Sequence, residues 1–413
     1  MWNQIKYPKL IIMIIVGSTY IEECIYPTKW YEVYGSGFRA VRALQHEIEN
    51  IDFFTYASGE IRNAMPTMLE KKDIRLIVTE IDKTLCFRYF HGLSEPKIYP
   101  NILRIKKSAP LEVNGDGDTV LRYGFLEGDA IVHGKKVVYD PQSSYNPVEF
   151  YSNGSTADEL VYVLNKKEAI LLTGCDEPEG IAKKLLTDNT IAVILKMGPS
   201  GGFVFTKDEK KEFKPYKTDH VFPIGTGDIF SAFVSLYWGV KGYDIDNAAQ
   251  EASKMTALYS SNYNYYLPIK NISLEGLNIL GDNHGDKSIY LAAPFFNIAQ
   301  RWLVEEARDA LRSKHIEVFS PVHDVGYGIA GQVASKDIAA IKKCDVMFAI
   351  GGNLDPGTIF EIGYARSINK SVVVYVENER EEDLKMIKGT DCIIERDFVT
   401  AIYKTIWCAL EKK

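Results

Sequence analysis

The chain has 413 residues, 46% hydrophobic and 25% charged, which admits about two to three domains and excludes disordered, collagen-like and disulfide-scaffold classes. Its 48 Lys and Arg against 55 Asp and Glu give a net charge of −7. That balance argues against a nucleic-acid backbone as partner but leaves small anions open, since backbone amides and a few lysines bind them locally.

In chain order, the apolar run from Leu10 to Val16 predicts a buried first strand of a parallel sheet. It is too short for a membrane span and lacks the cleavage site of a signal peptide. Short apolar runs then alternate with helix-period segments, the signature of α/β folding. Up to about Thr79 they read as strand, turn and helix units, with Val41, Leu44 and Ile48 on one helix face. Residues 80–134 favour strands with glycine turns and predict an antiparallel flap. The wound pattern resumes through "VVYDPQ", "AILLTG" and "IAVILKMG", followed by helices after Gly227 and through Ala248, Ala249, Ala252 and Met255. Residues 271–286 break the rhythm and predict a linker between a first domain, 1–270, and a second, 287–413, which restarts the alternation as a doubly wound sheet of its own. The six cysteines show no C-x-x-C spacing, which fits free thiols in a reducing, cytoplasmic setting.

Two segments carry chemistry. In "PIGTGDIFSAF", Gly225, Thr226 and Gly227 precede a helix that starts near Asp228. Converging amides and a helix N-terminus stabilise an anion, and an aspartate at that mouth suits a general base; an N-capping Asp after a glycine turn is the equal alternative. With "VVYDPQ", Asn165 and Glu168 in N-x-x-E, and Lys196, Gly198, Gly201 and Gly202 in "KMGPSGG", residues 8–265 resemble the ribokinase-like (PfkB) family of carbohydrate and nucleoside kinases. The resemblance implies Asp228 as catalytic base and the Gly225–Gly227 amides as anion hole. It further implies that Asn165 and Glu168 organise Mg2+, with Glu168 as the metal residue, and the phosphates, and that ATP lies near Lys196 and Gly198. On the acceptor side it implies Glu22, Gly35 and Gly37, but with departures. Glu22 replaces the usual aspartate, Gly35-Ser36 the double glycine, and Phe222-Pro223 the Asp-Thr, and the following asparagine is absent from "GSGFRAVRA".

In "NLDPGTIFEIGYA", Asp355 falls in a loop after an apolar strand, and Glu361 near a helix start where the macrodipole favours its ionised form. Such a carboxylate attacks an anomeric carbon in retaining glycoside chemistry; a cap and a solvated acid are the plain alternative. Asp337 is a further candidate acid, and Tyr290 an orienting hydroxyl. "IYLAAPFFN", "KDIAAIKKCDVMFAI" and "DPGTIFEIGYA" over residues 288–376 resemble the nucleoside 2-deoxyribosyltransferase family. That resemblance implies Glu361 as nucleophile, Asp337 and Asp355 at the base, Tyr290 positioning Glu361, and Phe295, Phe296, Gly357 and Thr358 around the substrate. It implies no cofactor for this domain and a homo-oligomer.

The expectation is therefore an α/β chain with a ribokinase-like doubly wound sheet and small β flap, followed by a flavodoxin/Rossmann-like parallel-sheet domain. It would phosphorylate a sugar or nucleoside hydroxyl in the first and break or exchange an N-glycosidic bond in the second, with nucleosides, nucleotides or NAD as ligands and neither nucleic acid nor membrane as partner. The alternative makes the first domain a nucleotide sensor controlling a nucleosidase or NAD-depleting effector, for example in phage defence.

Overall fold

The computed structural model describes residues 12–71, 73–143, 145–187, 189–262, 277–280, 286–314 and 316–411. Its first strand, β1 (Ile12–Val16), is buried on both faces. Met13 and Ile15 enter one apolar core while Ile14 and Val16 enter another, as expected of a strand flanked by helices on either side. β2 (Tyr20–Cys24) and β3 (Trp30–Tyr34) form a hairpin, followed by α1 (Ser36–Leu44), β4 (Asn50–Ala57), α2 (Gly59–Ala64) and β5 (Ile74–Glu80). Then come β6 (Cys86–Tyr89), β7 (Lys97–Tyr99), β8 (Leu111–Tyr123), β9 (Ala130–Asp140) and β10 (Thr156–Asn165). The unit continues with α3 (Lys166–Thr173), α4 (Pro178–Leu185), β11 (Thr190–Lys196), β12 (Gly202–Phe205), β13 (Lys210–Phe213), β14 (Tyr216–Lys217), α5 (Thr226–Val234), α6 (Ile245–Ser260) and β15 (Asn278–Ile279).

Nine of these strands make one sheet in the order β13-β12-β11-β10-β9-β8-β1-β4-β5, parallel from β11 to β5 with β12 and β13 antiparallel. Helices α1, α5 and α6 cover one face, and α3 and α4 the other. A separate four-stranded sheet, β3-β2-β6-β7, stands beside it.

The flap expected over 80–134 is corrected by these pairings. The small sheet draws its strands from residues 20–34 and 86–99, whereas β8 and β9 lie parallel in the main sheet. Apolar residues spaced by two at Leu111 and Val113 imitate a half-solvated hairpin. In fact the register shifts between Gly115 and Thr119, where a Cβ on Gly115 would lie 2.5 Å from Val120 Cγ2. The glycine makes room for Val120, and both halves of β8 bury side chains in the core, Leu111 and Val113 before the shift and Val120 and Leu121 after it.

β1 and α1 meet through glycine. A Cβ on Gly37 would lie 2.6 Å from the Phe53 ring and 2.7 Å from the Gly17 backbone. Gly37→Ala is expected to destabilise the chain by about 1–3 kcal/mol through overpacking, read as a lower urea midpoint at unchanged slope.

The second unit runs β16 (Ser288–Ala292), α7 (Ile298–Arg312), β17 (Glu317–Phe319), α8 (Pro321–Asp324), α9 (Ala330–Lys343), β18 (Val346–Ile350), α10 (Pro356–Ser367), β19 (Ser371–Tyr375), α11 (Lys385–Gly389), β20 (Ile393–Glu395) and α12 (Phe398–Leu410). Its five strands are all parallel in the order β17-β16-β18-β19-β20. The strand order reverses between β16 and β18, the place where open α/β sheets bind ligands. α7 and α12 pack on one face, α9 and α10 on the other.

Most of the expected linker, 271–286, lies outside the described residues; within it, β15 pairs with β14. The two units touch through Val221, Leu280, Val399 and Trp407, an edge-to-face contact of Phe90 with Trp302 at 5.1 Å, and a 3.0 Å bond between the Tyr26 and Tyr375 hydroxyls. Among the described residues no helix is long and apolar enough to cross a membrane.

Candidate functional site

The carboxyl ends of β9, β10 and β11 present Asp140, Asn165 and Lys196 side by side. Lys196 Nζ donates to Asp140 Oδ2 at 2.9 Å, and Ser231 Oγ donates to the same oxygen at 2.7 Å. Burial opposes the Lys196 charge, but Asp140 and Glu168 outweigh it and hold its pKa above the usual value. Asn165 and Glu168 form a reciprocal capping box at the start of α3. Burial, and then Asp140, push the Glu168 carboxyl up to about 7. Gly198 and Gly201 take positive φ, 59° and 81°, in the turn after Lys196. Gly225, φ 78°, is the N-cap of α5, and Thr226 Oγ1 donates back to the Pro223 carbonyl at 2.8 Å. A Cβ on Gly227 would lie 3.5 Å from Lys196 Nζ, so the lysine reaches the glycine turn.

Asn165, Lys196, Gly198, Gly201, Thr226 and Gly227 border a cavity of about 870 Å³ that Lys314, Tyr403 and Trp407 of the second unit also line. The volume and the cation beside two glycine turns fit a nucleotide. Among the described residues no group of three or more His, Cys, Asp and Glu gathers where it could hold a metal ion, and Glu168 already caps a helix. Mg2+ fits here only as a companion of bound phosphates.

The acceptor side is built differently from the expectation. Arg39, on α1, is 1% exposed and donates from Nε to Asp228 Oδ2 at 3.1 Å, from one terminal nitrogen to the Tyr259 hydroxyl at 3.0 Å, and from the other to both oxygens of Glu22. Gln142 Nε2 donates to the remaining Asp228 oxygen. A Cβ on Gly225 would collide with the guanidinium. One buried cation thus joins the carboxylates expected to act as base and sugar grip. Burial pushes both carboxyls upward while Arg39 pulls them down. Gly35, φ 81°, and Gly37 are required by close backbone approach to Ser18, Tyr20 and Gly17. Arg39 was missed in the sequence because its partners lie 17 and 189 residues away.

In the second unit, Tyr290 on β16 donates to Glu361 Oε1 at 2.6 Å. Glu361 is the sixth residue of α10, so the macrodipole expected to keep it ionised acts mainly a turn away. Burial dominates instead and, with the charges of Asp337 and Asp355, pushes its carboxyl up to about 7 against the lowering by Tyr290. Burial and Glu361 raise Tyr290 far above its usual range, so it stays a hydroxyl donor. Asp355 caps α10, its Oδ2 accepting from Thr358 N at 2.9 Å and Thr358 Oγ1 at 3.1 Å. The glycine at 357 leaves room for that oxygen, 3.1 Å from where a Cβ would stand. Among the described residues the buried Oδ1 of Asp337 on α9 has no hydrogen-bond partner, and burial raises the pKa of this carboxyl. Phe295 and Phe296 stack at 5.5 Å, and Phe296 is 71% exposed, so this pair is not core packing.

Comparison with known proteins divides along the same line. No curated protein matches the chain. The first unit aligns with the solved structure of a pyrophosphate-dependent kinase in the ribokinase family, complexed with a pyrophosphate analog and myo-inositol (13% identity, 63% of this chain and 97% of that one, TM-score 0.43). It aligns also with fructokinase from Vibrio cholerae (13%, 63% and 96%, 0.46) and ribokinase from Thermotoga maritima (17%, 64% and 96%, 0.43). The doubly wound sheet stands on its own strand order and register rather than on these likenesses. Residues 289–396 match the family model described as nucleoside 2-deoxyribosyltransferase, and the chain carries that domain at its carboxy-terminal end.

Proposed function

We propose that the carboxy-terminal unit breaks or exchanges the N-glycosidic bond of a nucleoside or nucleotide through an ester on Glu361, and that the amino-terminal unit binds a nucleotide. The observation that carries the reading is the 2.6 Å bond from Tyr290 to a buried Glu361, with a second acid, Asp337, holding an oxygen that has no partner among the described residues. An ionised Glu361 oxygen attacks C1′ and the base departs with the glycosidic electron pair. A carboxyl with a raised pKa, as at Asp337, supplies the proton the base needs. Water or a second base then gives its proton to the Asp337 carboxylate as it attacks C1′ of the ester, which releases Glu361 and restores both acids. Asp355, held by Thr358, is the fixed acceptor for a donor on the base. Phe296, Tyr327 and Phe360 stand exposed in the loops and helix of this site, an apolar rim that suits completion by a second copy of the chain.

For the amino-terminal unit, Arg39 favours binding without phosphoryl transfer. An Asp228 bonded to a guanidinium and an amide is a poor proton acceptor, and the same guanidinium packs against Gly225. Phosphoryl transfer with Asp228 as base is the second reading, supported by Lys196 and the glycine turns. Two assays on the full chain decide. A panel of nucleosides, nucleotides and NAD should yield free base by mass spectrometry, and no release from any of them overturns the glycosyl reading. Mg-ATP with sugars and nucleosides should give no ADP; ADP production lost in Asp228→Asn would establish the kinase instead.

A further inference from the structure

The cavity beside Lys196 is bounded by both units, and the groups lent by the second are a cation and two aromatic rings. Lys314 follows the end of α7. Its Nζ would lie 3.9 Å from a Cβ on Gly198, so the ammonium faces the glycine turn of the first unit. The other lysines lining this space are engaged: Lys196 with Asp140, Lys166 with Asp176, Lys167 with Glu95. Lys314 has no carboxylate or carbonyl partner among the described residues, and burial alone depresses its pKa. A half-buried ammonium without a counter-ion is unfavourable unless an anion arrives. Tyr403 and Trp407 on α12, with Phe230 and Ile170 opposite, give the same cavity an apolar wall.

We propose that a nucleoside di- or triphosphate binds here held by both units at once. Its phosphates lie at the Gly198–Gly201 turn between Lys196 and Lys314, and its base lies toward Tyr403 and Trp407. This rests on the nucleotide-binding reading above and adds the second unit as part of the site. The cation pair recognises the phosphates and the aromatic wall requires the nucleoside, so a bare pyrophosphate meets only half of the site. Because α12 also packs Val399 against Val221 just before the Gly225 turn, a ligand seated on both units strengthens their docking by mass action.

The test is calorimetric titration of the full chain with ADP, pyrophosphate and adenosine. The wild type should bind ADP more tightly than either fragment. Lys314→Ala should weaken ADP and pyrophosphate about tenfold, the scale of one charge-assisted contact, leave adenosine unaltered, and show an unfolding temperature no lower than wild type because a half-buried ammonium with no counter-ion among the described residues is gone. Lys314→Arg should restore most of the ADP affinity. ADP binding indifferent to Lys314→Ala overturns this inference alone. Absence of ADP binding by the wild type overturns it together with the reading beneath it. Pyrophosphate binding as tightly as ADP removes the nucleoside from the proposal.

Discussion

Glu361→Gln is expected to lower base release by on the order of 10⁴-fold or more, the scale on which loss of a nucleophile is felt. The amide keeps the shape and the Tyr290 contact but cannot form the ester. Stability should not fall, because burial already disfavours the charge at this position. The wild type should accumulate a glycosyl adduct on Glu361 when the acceptor base is withheld and water is slow; peptide mass spectrometry reads it. Turnover in Glu361→Gln near the wild-type rate would remove Glu361 from the chemistry. The pH profile supplies an independent sign. The nucleophile must be ionised, and its carboxyl sits at about 7, so kcat/KM should rise with pH through that value. Tyr290 donates to the ionised oxygen and holds the pKa down. Tyr290→Phe should therefore move this limb to higher pH, besides lowering kcat by roughly 10²-fold as loss of one oriented donor does. A limb that moves to lower pH, or stays in place, contradicts the positioning role.

The second unit was the more legible half. Its strands are uninterrupted apolar runs such as "DVMFAIGG", and its candidate acids follow β18, lie on α9, or lie one and a half turns into α10, where the five-stranded sheet reverses order. What the residues alone misjudged there was a balance of forces. The spacing shows Glu361 near a helix start, but not that Tyr290, Asp337 and Asp355 would enclose it and let desolvation outweigh the dipole. In the first unit, β8 and β9 defeated periodicity because two long parallel strands with a register shift between them show the alternation of a hairpin. Arg39 and Lys314 were illegible for a common reason. A single cation on a short amphipathic helix, or just past a helix C-terminus, reads as solvated or as complementing the dipole. Only long-range packing reveals that one is clasped by Glu22 and Asp228 and the other turned toward Gly198.

That clasp carries the second large prediction. Arg39→Met should destabilise the amino-terminal unit by about 3–5 kcal/mol, the cost of removing one partner from a buried charge cluster. Glu22 and Asp228 would then share a buried pocket without the guanidinium that binds them both; Glu22 is 1% exposed and Asp228 7%. Asp228→Asn should behave in the opposite way. It leaves one guanidinium to one carboxylate, a neutral pair; the amide oxygen still accepts from Arg39, and the new NH2 donates to Gln142 once that side-chain amide turns its oxygen inward, so the change should stay within about 1 kcal/mol. The triple change Glu22→Gln, Arg39→Met, Asp228→Asn should recover much of the loss, since replacing a whole buried cluster is often neutral or stabilising. Urea denaturation of the full chain, followed through the first unit's own transition, reads all three. A catalytic aspartate and a structural one differ in this series. If Asp228 serves phosphoryl transfer, Asp228→Asn abolishes ADP release with no pattern among the stabilities. If it belongs to the Arg39 clasp, the stabilities fall in the order predicted, no ATP is consumed by any variant, and base release through Glu361 persists wherever the chain remains folded. An Arg39→Met protein with an unchanged urea midpoint would mean that the clasp holds nothing together.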